Sequence, residues 1–121
     1  MIKHIVHIYK LECTKTGRIY IGKSSAPSLR KDSHMSLLHC GKHHVELMQS
    51  DYDKYGADAF VFTVLESVER VGHINKHGRM EFSDSQREKE LMIQFKTFLP
   101  EYGYNYKDPH FQGARRRKKE V

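Results

Sequence analysis

No stretch of this 121-residue chain approaches the roughly 20 consecutive apolar residues that a membrane-spanning helix requires. Cysteine is scarce: Cys13 and Cys40 stand far apart, and no CxxC pair exists. That excludes a disulfide framework as the organising principle and points to a reduced, cytoplasmic setting. A secretory leader is not expected either, because His and Lys interrupt the apolar run of MIKHIVHIYK. Internal repeats are absent, and the basic C-terminal end is the one compositionally biased segment. What is present suits one small polar domain: 38% hydrophobic residues, enough for a modest core.

Lys and Arg number 21 against 15 acids, a formal net charge of +6. The segment Arg115, Arg116, Arg117, Lys118, Lys119 and Glu120 carries +4 of this, so the rest of the chain nets only +2. Residues 1–108 are read as the folded domain and 109–121 as a basic, disordered tail. Such a tail is either the electrostatic footprint of a polyanion binder or a solvated terminus.

Periodicity divides the body into elements. Residues 4–12 (HIVHIYKLE) alternate, with His7, Tyr9 and Leu11 on one side and Val6 and Ile8 on the other, which predicts a strand. The turn-like TKTG leads into a second strand over 18–22, giving a hairpin. With the Ile and Val face packed on helices, Tyr9 and Tyr20 are expected on a shared outer surface. Pro27 suits the first turn of a helix over 27–40. A second helix, over 44–55, carries Val45, Met48, Tyr52 and Tyr55 on one stripe and stops at Gly56. Residues 60–67 predict a third strand, and 69–82 a loop broken by Gly72 and Gly78. Ser83 and Gln86 fit a capping box for a third helix over 83–98, ended by Pro100. The order ββααβα reads as α+β: a small three-stranded antiparallel sheet flanked by helices.

The tripeptides His7-Ile8-Tyr9 and Tyr20-Ile21-Gly22 resemble the paired signature of the GIY-YIG nuclease superfamily, with His7 where the family usually has Gly. Arg30 stands ten residues past Tyr20 and His34 fourteen, places where the family carries Arg and His or Tyr. Lys23 matches a lysine of several branches. The stretch from Gly41 to Glu66 resembles the phage homing-endonuclease branch and makes His43 the match for a His that follows a Gly. Glu90 stands fifteen residues before Asn105, the spacing of the family's metal-binding Glu and structural Asn, and Gly103-Tyr104-Asn105 corresponds to a closing GYN. The resemblance covers about residues 4–106. It implies an endonuclease that hydrolyses phosphodiester bonds of DNA, expected double-stranded, in a bacterial or phage-infected cell.

Phosphodiester hydrolysis needs an in-line water, a base for its proton and positive charge for the developing oxyanions. Mg²⁺ or Mn²⁺, one per site, is the implied cofactor, with Glu90 as its ligand, since Mg²⁺ accepts one or two carboxylates plus phosphate and water. Glu88 competes with Glu90 on the same charged helix, and the spacing to Asn105 selects Glu90. Tyr9 is the candidate general base; a phenol titrating near 10 needs a nearby cation to act at neutral pH. Tyr20 would orient the water or bind phosphate. Arg30 would hold the scissile phosphate through two donors, on the same helix face as His34. His34 and His43 are candidate proton shuttles, with His44 an alternative to His43. Lys23, Gly22 and Asn105 are supporting positions. His7, on the face of Tyr9, lies at the margin of the cleft or alters access to it.

Other assignments are weaker. His73 and His77 have helical ligand spacing, but flanking glycines and the lack of CxxC argue against structural zinc. Arg70, Lys76 and Arg79, with the basic tail, are the expected phosphate contacts. Neither a small-molecule cofactor nor a membrane is expected as partner. The chain has no room for a separate DNA-recognition region, so it is expected to be a free-standing small nuclease or the catalytic part of a longer protein, with a further DNA-recognition domain or protein partner. A catalytically silent nucleic-acid-binding module and a non-catalytic interaction domain are the rival readings.

Overall fold

The computed structural model describes residues 3–105. The basic segment from 109 onward, with Arg115 to Lys119, lies outside the described residues. The elements run β1 (Ile5–Cys13), β2 (Ile19–Ser24), α1 (Pro27–His39), α2 (Glu46–Tyr55), a 3₁₀ turn (Ala57–Ala59), β3 (Phe60–Glu69), β4 (Gly72–Ile74), β5 (Met80–Phe82) and α3 (Ser83–Phe95). The first three strands form an antiparallel sheet in the order β2-β1-β3, with β1 central. The architecture is the expected α+β arrangement.

Both faces of β1 are covered, which corrects the expectation of an outward tyrosine surface. Tyr9, Leu11 and Cys13 point to one side and are fully buried with Leu38 of α1, Val45 and Met48 of the α2 segment, Phe60 and Tyr104. Ile8 and Ile21 point to the other side and pack on Leu91 of α3. Each such aliphatic side chain removed from water contributes about 1.5–3 kcal/mol. A central strand packed on both faces cannot be told from a half-exposed one when its alternating residues are Tyr, Leu and Ile. A bulge in β3 leaves Ile8 opposite Glu66 and Tyr9 opposite Val64. Leu65 and Glu66 therefore both serve the α3 side, Leu65 in the core and Glu66 on Arg87.

The helices differ at their ends from the sequence reading. Helix α1 closes at Gly41, whose φ of +74° allows the backbone to turn back under it, with the Lys42 amide on Leu37 O at 2.9 Å. Helix α2 starts at Glu46 rather than at 44, because the Val45 amide is held by the His43 ring, 3.1 Å away, and Gln49 reaches back to the His43 amide. The capping box at 83 does not form: Ser83 is already helical, and its hydroxyl bonds Glu69 O and accepts from the Val71 amide. Helix α3 stops at Phe95, with Lys96 left-handed at φ 57°. The cause is the returning chain: Gly103 lies so close to the Thr97 backbone that any Cβ there would collide with it. Beyond it, Ile19 pairs with Gly103 in a parallel bridge at the edge of β2.

The expected loop over 69–82 contains a hairpin. Strands β4 and β5 pair as Gly72 with Phe82, His73 with Glu81 and Ile74 with Met80. Asn75 builds the turn, its Oδ1 accepting from the amides of His77 and Arg79 and its own amide donating to Arg79 O. Gly78, taken as a breaker, sits inside this turn at φ +77°.

Candidate active site

Helix α1 lies over the tyrosine face of the sheet and presents Arg30, His34 and Leu38 at intervals of four, one stripe that runs from solvent into the core. Leu38 and His34 are buried and Arg30 is exposed. Beneath the stripe, the phenol of Tyr9 crosses above Gly22, its neighbour on β2. A Cβ at position 22 would collide with the Tyr9 hydroxyl, so only glycine leaves this path open. Phe62 stacks on the Tyr9 ring at 4.6 Å, and Tyr20 lies 6.4 Å from it, centroid to centroid. Tyr9, Tyr20 and His34 thus form one aromatic cluster.

A directed chain of hydrogen bonds ends on Tyr9. The Val45 amide donates to His43 Nδ1, which must therefore be unprotonated. A neutral His43 then carries its proton on Nε2 and donates to His34 Nδ1, 2.9 Å away. His34 in turn carries its proton on Nε2 and donates to the Tyr9 oxygen at 2.8 Å. Both imidazoles are neutral at pH 7, because burial pulls each down to about 4, with neighbouring histidines adding to the effect. His44 stacks on the outer side of His43. One backbone amide thus sets both tautomers and directs an N–H at the Tyr9 oxygen.

The charges around the cluster are unequal. Burial pushes the Tyr9 phenol up to about 12, while Arg30, within hydrogen-bonding reach of it, pulls the other way. Tyr20 is also raised, first by burial and then by the nearby negative charge of Glu88. Glu88 itself is held above the usual carboxylate range by burial, partly offset by Lys23. Its carboxylate has no hydrogen bond or ion pair among the described residues. Glu90 is placed differently: 62% of its side chain is exposed, and it pairs with Arg87 at 2.9 Å. The phase of α3 explains the contrast. Asp84, Glu88 and Leu91 share the face that packs on the sheet, and Glu90 falls outside it. The structure therefore does not gather Glu90 with the tyrosines, and the carboxylate it does gather, Glu88, is the one that the spacing to Asn105 passes over. The buried Leu91, three residues on, was the signal for it.

No family profile and no curated protein sequence matches the chain. Solved structures do. The catalytic domain of intron endonuclease I-TevI, in a mutant form, superimposes with a TM-score of 0.67 at 22% identity, covering 92% of this chain and 100% of that one. Another structure, of the catalytic domain of homing endonuclease I-TevI, gives 0.64 at 19% identity over 81% of this chain and 96% of that one. The fold is that of the I-TevI catalytic domain.

Within this I-TevI-like fold the remaining predicted residues act as framework or rim. Asn105 grips β2 in both directions, accepting from the Ile21 amide and donating to Ile21 O, each at 2.9 Å. Tyr104 donates to Asp51, which also takes the Arg18 guanidinium through both oxygens. Lys23, one residue before the end of β2, sets its ammonium on the buried Asp84 at 2.9 Å and on Ser85. Arg70 meets the same Asp84 oxygen at 3.0 Å. Asp84 was not singled out from the sequence; burial opposes its charge, but Lys23 and Arg70 hold it below the usual carboxylate range. His7 is drawn to β3 by a 2.7 Å hydrogen bond with Ser67. Lys76 and Arg79 stand exposed at the hairpin tip, with His77 beside them and His73 on Glu81. No group of three metal-ligating side chains occurs among the described residues, and no helix there is long and apolar enough to cross a membrane.

Proposed function

We propose that this chain is a DNA endonuclease that hydrolyses phosphodiester bonds with a divalent cation. The observation that carries the reading is Glu88: a half-buried carboxylate with no ion pair among the described residues, in electrostatic reach of a Tyr9 phenol that His34 and Arg30 already address. A single carboxylate fits Mg²⁺ or Mn²⁺, which takes its other ligands from substrate phosphate and water. Glu88 would hold the cation, in place of the expected Glu90. When bound, the cation supplies a Lewis acid to the phosphoryl oxygen.

The chain's own groups divide the remaining work. Tyr9 accepts the proton of the attacking water. Its base form is the phenolate, whose negative charge is met by the N–H of His34 and by the Arg30 guanidinium until the water's proton neutralises it. Arg30, exposed at the mouth, is also placed to hold a phosphate through two donors. Tyr20, raised above its ordinary range, stays protonated and donates a hydrogen bond to the water or the phosphate. Neutral His34 and His43 serve better as fixed donors than as acids, because neither carries a second proton near pH 7. Arg70, Lys76 and Arg79 contact the DNA, joined by the tail residues Arg115, Arg116, Arg117, Lys118 and Lys119.

Supercoiled plasmid tests this reading. Incubated with the chain and Mg²⁺ or Mn²⁺, it is converted to nicked or linear form, and EDTA stops the conversion. Retarded duplex in a gel-shift assay with no conversion under any divalent cation would replace the enzyme by a binding module.

A further inference from the structure

The β4–β5 hairpin takes no part in the catalytic cluster, yet it is built with unusual chemistry for a surface loop. Ile74 is 62% exposed, Met80 54% and Val71 52%. These apolar side chains alternate with cations. Across residues 70–82, Arg70, Lys76 and Arg79 face one acid, Glu81, so the segment nets +2. The whole chain outside residues 115–120 also nets +2, which leaves the remainder of the body neutral. Positive charge in the described fold is therefore focused on this arm.

We infer that the β4–β5 hairpin seats in a groove of duplex DNA and reads base edges, giving the nuclease its local sequence preference. The inference rests on the endonuclease reading above. A two-stranded antiparallel ribbon is one of the two secondary structures that the major groove, about 12 Å wide, admits. Phosphate contact alone needs only cations. Ile74 and Met80, paired across the ribbon on the same face as Gly72 and Phe82, suit the methyl groups of thymine. Lys76 and Arg79 at the tip suit the acceptors of guanine. A second copy of the chain is a poor occupant, since two arms of +2 repel.

The arm is also prepared for the task. Its tip is ordered by four hydrogen bonds between Asn75 and the backbone of the turn and by the Asn75–Glu81 pair at 2.8 Å, so little freedom is lost on docking. Its base is fixed by Arg70 stacked 4.0 Å over Phe82 and by Ser83 on Glu69 and Val71. Through Asp84, Arg70 shares an anchor with Lys23, the residue after Gly22. A groove contact made by the arm is thereby held in register with the cutting cluster.

The test sequences the cut ends released from a randomised duplex library in Mg²⁺, for the wild type, Ile74→Ser/Met80→Ser and Lys76→Gln/Arg79→Gln. The wild type is expected to show base preference at positions displaced to one side of the cut. In either double variant cleavage continues at higher protein concentration, and the ratio between favoured and disfavoured bases falls about fivefold or more. Circular dichroism of each variant confirms that the fold persists. Wild-type cleavage without base preference, or a preference that neither variant alters, overturns the inference and leaves the nuclease intact. A dimer seen by light scattering that Ile74→Ser/Met80→Ser dissolves overturns it as well. No cleavage by the wild type in Mg²⁺ or Mn²⁺ removes both readings.

Discussion

Gly22 lies directly beneath the phenol of Tyr9, and the two residues are partners across β1 and β2. The contact joins a backbone choice to the chemistry: the side chain missing at 22 is the space through which the Tyr9 hydroxyl reaches His34.

Gly22→Ala is therefore expected to displace Tyr9 rather than unfold the chain. Overpacking of this kind costs about 1–3 kcal/mol, visible as a lower denaturation midpoint in urea. The nicking rate should fall at least tenfold, whereas Gly17→Ala, strained by its φ of +78° but with open space for a Cβ, should lower stability without that loss of rate.

Because burial places the Tyr9 phenol at about 12, its base form is scarce at neutral pH and grows as pH rises. Single-turnover nicking should increase about tenfold per pH unit between roughly 6 and 8. Arg30 opposes the upward displacement. In Arg30→Ala the profile should move to higher pH in addition to losing rate. An unchanged profile position would separate Arg30 from the Tyr9 proton.

The histidine pair makes a stability prediction with a defined sign. His34 and His43 stay neutral in the fold down to about 4, whereas in the unfolded chain they take up protons near 6.5. The unfolded state thus binds more protons between those values, and stability falls as pH drops from about 6.5 to 4, by a few kcal/mol in total. Urea midpoints measured across that window should decline in the wild type and decline less steeply in His43→Gln.

Much of the fold was legible in the sequence because local signals agreed there. Alternation marked β1 and β2, Pro27 marked the start of α1, and Gly56 the end of α2. The failures occurred where tertiary contacts took over groups that local rules had assigned. The Val45 amide went to His43, Ser83 went to the β3–β4 connection, and Gly103 stopped α3 early. The hairpin was hidden because two three-residue strands carry too little periodicity to register. Tyr9, Tyr20, Arg30, His34 and His43 were singled out through the resemblance to the GIY-YIG family's motifs, and the fold brings them to one face of the sheet. The spacing count along the chain selected Glu90, whereas helix phase favours Glu88, because a count ignores which way a helical residue faces. Leu91 faces the core, so Glu88 turns toward the sheet and Glu90 toward solvent.

That choice between two glutamates tests the central claim most directly. Single-turnover nicking of supercoiled plasmid in saturating Mg²⁺ is to be measured for the wild type, Glu88→Gln and Glu90→Gln. The cluster described above predicts a loss of about a hundredfold or more for Glu88→Gln and a change within about threefold for Glu90→Gln, which gives up only an exposed pair with Arg87. Full activity in Glu88→Gln, with loss in Glu90→Gln, would contradict it.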